Sequence, residues 1–198
     1  MAMQAQQQAL TLIKDEHRSL AAVIHALQFL VRRMEEGKPA DATLLGAILQ
    51  YLTRFPERLH HPAEDRYLFA PLRACSSEAS EVLDQLELDH QGGLAREASL
   101  LAALNALNAG MSGAQAGFAQ AVNTYASFYW EHMVREETLI LPLAERLLSP
   151  AQWEAAAAGF AANADPLYGG DTAQDFQALF RRIVNQTPAP LGLGQDAR

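Results

Sequence analysis

The sequence predicts an all-α fold: an antiparallel up-down-up-down four-helix bundle followed by a C-terminal extension of two shorter helices. Three observations predict it. Alanine and leucine are abundant while valine, isoleucine and threonine are sparse, a balance that favours helix over sheet. Apolar residues recur three and four apart through four long segments, giving each a core-facing side. Short breaks of glycine, proline and serine separate the segments, and short links make neighbouring helices antiparallel.

After a polar, frayed start, the first segment runs from about Leu10 to Glu36. Leu10, Ile13, Leu20, Ile24, Leu27 and Val31 form its stripe, and His17 fills the gap inside that stripe. Gly37-Lys38-Pro39 ends it, and Asp41 is an N-cap for the second helix, which runs to about Arg73. Pro56 and Pro62 are expected to bend or interrupt that helix, because each removes a backbone donor. The third helix covers about 78–109, with Leu83, Leu86, His90, Leu94, Leu101 and Leu104 on one broad face. The fourth, about 114–148, repeats Phe118, Val122, Tyr125, Tyr129, His132, Glu136, Leu139, Leu143 and Leu147. Ser149-Pro150 caps a fifth helix to about Ala162, and Asp171 caps a last one carrying Phe176, Leu179, Phe180 and Ile183. The chain thus divides into a bundle (8–148), a helical extension packed on it (149–187) and a Pro/Gly-rich, disordered tail (188–198). The extension covers one flank or end of the bundle, or forms a homodimer contact.

Composition narrows the function. At 198 residues the chain can bury a full core without staples. A net charge of −8 repels phosphate backbones and argues against nucleic acid. Cys75 is the sole cysteine, which excludes an internal disulfide and a multi-thiolate metal site and suits a cytoplasmic protein. The N-terminus does not read as a signal peptide, and no apolar run is long enough to span a membrane.

Two segments carry one pattern. His60 and Glu64 stand four apart, as do His132 and Glu136, and each pair is followed by a Pro-Leu about ten residues beyond the histidine. Residues i and i+4 stack on a helix, so imidazole and carboxylate can converge on one ion. The first and third helices each add a histidine behind an acid, Glu16-His17 and Asp89-His90. Counting from the turns tests whether the four histidines share a height. From Pro39, His17 is 22 residues back and His60 is 21 ahead; from Ser76, His60 is 16 back and His90 is 14 ahead; from Met111, His90 and His132 are each 21 away. At about 1.5 Å per residue the mismatches are ~3 Å or less, so the histidines form one layer.

A single histidine on an apolar face is ordinarily a satisfied core residue, and a lone His-x-x-x-Glu is often a surface pair. Four imidazoles and two carboxylates in one layer are costly to bury without something to bind. Imidazole and carboxylate without thiolate suit iron, manganese or zinc. Six side chains exceed one tetrahedral zinc but match two ions bridged by Glu64 and Glu136, which in a helical bundle points to di-iron or di-manganese. The candidate ligands are therefore His17, His60, Glu64, His90, His132 and Glu136.

At these residues the sequence resembles the hemerythrin-like (HHE cation-binding) family. The resemblance covers about Leu10 to Leu148 and rests on Asp15-Glu16-His17, His60-His61-Pro62-Ala63-Glu64, Asp89-His90 and His132-Met133-Val134-Arg135-Glu136-Glu137. The Asp165-Pro166-Leu167-Tyr168-Gly169 stretch also looks like the extension of many bacterial members. It implies two non-haem iron ions with carboxylate and oxo or hydroxo bridges, and a small diatomic ligand, oxygen or nitric oxide, as partner. Oxygen-carrying members place a further histidine one turn after the third-helix ligand, where this chain has Leu94. That departure implies a more open iron and speaks against simple oxygen carriage. His61 reads as packing or solvent-facing, with a swing into the site as its alternative. His25 reads as structural, Tyr125 as a core aromatic, and Glu137 as solvated, or as the alternative carboxylate if the helix is overwound there.

Three functions follow from this reading: a di-iron protein that senses or buffers oxygen, nitric oxide, redox state or iron; a di-iron enzyme with peroxidase, oxidase or nitric-oxide chemistry; and a metal-free helical interaction module.

Overall fold

The computed structural model describes residues 2–39, 41–162, 173–189, 191 and 193. Among them every regular element is a helix. Helix α1 (Ala2–Glu35) starts at Ala2, so the polar N-terminal residues extend the first helix rather than fray from it. Glu36 closes it, and Gly37 turns the chain at φ 81°. The Gly37 and Lys38 amides donate to the Met34 and Arg33 carbonyls, each at 3.0 Å, the paired bonds of a Schellman stop. Asp41 then caps α2 (42–75), its carboxylate accepting from the Thr43 and Leu44 amides. Helix α3 spans 80–108 and α4 spans 114–147. Ser149 and Gln152 cap α5 (Pro150–Ala162) reciprocally, with Pro150 at its first position. Helix α6 is Ala173–Gln186.

The expected interruption of α2 takes another form. The helix runs through its prolines but widens at Pro56–His60 and Asp65–Phe69, and α4 widens at Glu136–Ile140. In these π-type turns the His61, Ala70 and Leu141 amides donate five residues back, to the carbonyls of Pro56, Asp65 and Glu136. Each closing residue is followed by a proline: Pro62, Pro71, Pro142. A proline ring clashes with the carbonyl four residues back, and a widened turn moves that carbonyl aside. The same widening shifts the register of α4, leaving Leu139 50% exposed while Ile140 is buried.

Helix α3 also departs from the expected single face. It breaks at Gly92, where ψ is −7°, and its second half is rotated. Leu94 is 72% exposed and does not stand in a ligand's place on the core face.

Two apolar clusters fill the interior. One gathers Leu20–Met34 of α1, Leu44–Phe55 of α2, Leu100 and Leu104 of α3 and Phe118–Met133 of α4. The other gathers Ala9 and Ile13, Ala63–Leu72, Ala79–Leu86 and Ile140–Leu148, and is closed by Trp153, Ala156, Ala157 and Phe160 of α5. On α1, α2 and α3 the predicted histidine falls between the two clusters, and on α4 His132 lies at the edge of the first, beside Met133. Ile183 of α6 is buried in the first cluster. Asp171, the Phe176 and Phe180 side chains and most of the predicted tail lie outside the described residues. No helix among the described residues is long and apolar enough to cross a membrane.

Candidate metal centre

The structure brings all six predicted residues together, each at most 8% exposed. His17 and His60 face each other with 3.1 Å between Nε2 atoms, and His90 and His132 do the same at 3.2 Å. Two nitrogens about 2.1 Å from one ion at right angles stand about 3.0 Å apart, so each pair matches two neighbouring ligands of one cation. The carboxylates lie between the pairs. Glu64 turns Oε1 to His60 (3.3 Å) and His17 (3.6 Å) and Oε2 to His90 (3.7 Å). Glu136 turns Oε2 to His17 (3.3 Å) and Oε1 to His132 (3.1 Å) and His90 (3.9 Å). Each carboxylate thus offers one oxygen to each histidine pair. All four oxygens are buried and accept no hydrogen bond. Leaving such groups unsatisfied is expensive, and a pair of cations would satisfy all four, so the residues present fit a two-metal site.

Each imidazole is fixed from behind by an acid on another helix. His60 Nδ1 donates to Glu16 (2.6 Å), His90 Nδ1 to Asp65 (2.8 Å), His132 Nδ1 to Asp89 (3.4 Å) and His17 Nδ1 to Glu137 (2.8 Å). The order is cyclic: α1 supports α2, α2 supports α3, α3 supports α4, and α4 supports α1. These bonds favour the Nδ1–H tautomer of the neutral ring, whose Nε2 lone pair faces inward, the form a metal ligand needs. Arg135 in turn holds Asp89 at 2.7 Å.

The layer is electrostatically set for positive charge. Burial opposes protonation of His17, but Glu136, Glu137 and Glu64 outweigh it and raise its pKa well above the ordinary value. Burial likewise opposes, and Asp65, Glu136 and Glu64 overcome, the charge on His90, raised to about 10. His132 is raised against burial by Glu136, whose own pKa is held far down, against burial, by the surrounding histidines. His60 and His61 are shifted the other way: burial lowers His60 to about 4 and His61 well below the ordinary value, and it raises Glu16 to about 8.

The neighbouring residues meet expectation to different degrees. His61 packs, the first of its two expected readings: it is 2% exposed and lies against the site with its ring flat on that of His90 (centroids 4.1 Å, 10° between planes). Glu137 is half-exposed but bonded to His17, and the helix beside it is underwound rather than overwound. Tyr125 is a core aromatic whose hydroxyl donates to the Leu52 carbonyl at 2.9 Å, and His25 is an exposed residue stacked on Trp130. The outer acids Asp65 and Glu57 escaped sequence reasoning, although Asp65 shares a signal with Glu16, Asp89 and Glu137. Each of these four stands next in sequence to a residue of the inner layer.

An all-helical protein whose core holds a buried histidine and carboxylate cluster of this kind is a cation-binding protein in its architecture. The comparison with known families agrees: the hemerythrin HHE cation-binding domain matches residues 8–144, and the chain belongs to that family. It is 26% identical over 138 residues to the uncharacterized proteins Mb2018 of Mycobacterium bovis and Rv1995 and MT2051 of Mycobacterium tuberculosis. The match covers 70% of this chain and 54% of each relative, so the chain spans about half the length of these relatives. No solved structure matches the chain.

Proposed function

We propose that the chain is a non-haem di-iron protein of hemerythrin-like type, an antiparallel up-down-up-down bundle that senses or buffers oxygen, nitric oxide, redox state or iron. The observation that carries this reading is the pairing of two inward Nε2 couples with two carboxylates that each face both. His17 and His60 would hold one ion, His90 and His132 the other, and Glu64 and Glu136 would bridge them. Bound iron supplies one-electron redox chemistry and a position for a small ligand. The chain's own part is to hold four imidazoles in one tautomer through Glu16, Asp65, Asp89 and Glu137, and to exclude bulk water with the apolar clusters above and below. A metal-free interaction module has no use for four buried carboxylate oxygens that accept nothing. Manganese or zinc would suit the same donors.

Protein purified without oxygen and loaded with ferrous ion should retain two equivalents per chain. It should develop a ligand-to-metal absorption band in air that bleaches on reduction. A colourless protein that keeps no iron after loading would sink the reading.

An enzymatic reading has one observation in its favour. A cavity of about 410 Å³ lined by Glu57, His61, Asp65 and His90 opens beside the His90 pair, giving a small substrate a route to the site. Steady consumption of hydrogen peroxide or nitric oxide by iron-loaded protein, over many equivalents, would favour the enzyme; a single stoichiometric event favours the sensor.

A further inference from the structure

We infer that His61 is a seventh protein ligand, giving the ion at His90 and His132 a third nitrogen and making the two metal positions unequal. The inference rests on the two-metal reading above. His61 is buried, yet neither ring nitrogen has a hydrogen-bond partner. A buried polar group left unused costs about 1–3 kcal/mol, so an imidazole with both nitrogens idle needs an explanation. Its ligand atom lies within 4.8 Å of those offered by Glu64, His90 and His132, the set that would hold the second ion.

The surroundings of His61 repeat the construction of the other four histidines. Behind its Nδ1, at 3.6 Å, stands the carboxylate of Glu57. That carboxylate is itself held by the Tyr129 hydroxyl at 3.2 Å. Gly93 makes room for it, since a Cβ there would collide with both Glu57 oxygens. An outer acid at Nδ1 leaves Nε2 as the ligating atom, as it does for His17, His60, His90 and His132.

Local backbone explains how adjacent histidines can both reach the centre. Consecutive residues on an α-helix stand about 100° apart, which would send one of the two outward. The widened turn Pro56–His60 ends at this pair and brings both rings inside. The His61 ring lies parallel to His90, so it reaches the ion by rotating about its side-chain torsions, and the adjoining cavity leaves space to do so. Among the described residues the other position has no such supplement: those gathered around it are His17, His60, Glu64 and Glu136.

The test compares wild type, His61→Phe, Glu57→Gln and His61→Gly in anaerobic ferrous titrations with Mössbauer spectroscopy of the loaded protein. His61→Phe keeps a flat ring on His90 and removes the nitrogens. Wild type should take up two ions and show two distinct quadrupole doublets of equal area. His61→Phe should weaken one ion by ~100-fold or more and draw the two doublets together, and Glu57→Gln should weaken the same ion by ~10-fold. Free imidazole added to His61→Gly should restore the second doublet. Two ions bound with unchanged affinity and an unchanged spectrum in His61→Phe overturn this inference alone. A wild-type protein that binds no iron overturns the two-metal reading with it. If His61→Phe fails to fold, by circular dichroism, the Glu57→Gln and imidazole-rescue results decide on the same terms.

Discussion

Helices α2 and α4 differ from α1 and α3 in the load they carry. Helix α1 offers one inward histidine and runs 34 residues without a change of pitch. Helices α2 and α4 each offer a histidine and a carboxylate, widen into π-type turns beside them, and resume α geometry at a proline. The contrast shows what two inward polar side chains per helix require. Glu64 and Glu136 must aim both oxygens into the histidine layer while Asp65 and Glu137, next in sequence, reach back to a neighbouring helix. A widened turn separates those two directions. On α1 and α3 an acid also stands beside the inward histidine, Glu16 by His17 and Asp89 by His90, without a π-type turn, so the widening goes with the inward carboxylate and not with the outer acid alone.

The largest effect should come from breaking the double-duty helices at their carboxylates. Glu136→Ala removes one oxygen from each position and should cut retained metal from two equivalents to below one, measured by elemental analysis after desalting. His17→Ala on the single-ligand helix should cost one position while the other persists. Equal losses in the two variants would erase the distinction between the helix types.

Chelation should come next. Metal held by the folded cluster and not by the unfolded chain stabilises the fold, so the metal-free protein should unfold at lower temperature. The loss is about 2.7 kcal/mol per site for metal held at a hundredfold excess over its dissociation constant. A melting curve unmoved by chelator would count against a core built around cations. The same competition sets a pH dependence. In the metal-free state the pKa of His90 is raised to about 10, and those of His17 and His132 are also raised, so protons compete with metal for these rings. A ligand must be deprotonated to bind. Metal uptake at pH 7 should therefore release protons, and affinity should rise with pH through the neutral range. A weakly buffered indicator titration reads the release, and uptake without it would contradict the assignment.

Substituting the outer acids should have a graded, smaller effect. Glu16→Gln, Asp65→Asn, Asp89→Asn and Glu137→Gln should each weaken metal by ~10- to 100-fold while leaving two equivalents at saturation. Buried Glu16, bonded to His60 at 2.6 Å, should cost the most, and half-exposed Asp65 and Glu137 the least, since water can replace them.

The smallest change should follow Pro142→Ala. The new N–H returns a donor to α4, and the Glu136–Ile140 turn should survive because Ile140 and Leu141 are already packed in the second cluster. A stability change within about 1 kcal/mol and unchanged metal content are expected. A shift of the visible band would mean that the proline, not the packing, holds the turn open.

Much of the site was legible before any coordinates. Stripe positions on α1, the Asp41 cap and the Ser149-Pro150 start follow from local rules, and counting residues from the turns was enough to put four histidines at one height. Two misplacements share one reason. Leu94 and Leu139 were placed by extending a regular 3.6-residue period, and the pitch changes beside each of them: at Gly92 and in Glu136–Ile140.

The amino-acid order by itself determined the helices, their turns, the six inner residues and the shared level at which they meet, because all of these depend on short-range spacing and on rise per residue. Only the tertiary structure decided which acid stands behind which histidine, that Glu64 and Glu136 each face both pairs, and that His61 is inside. Those relations join residues 25 to 120 positions apart, and they depend on helix rotation, which packing and pitch together set and no single segment encodes.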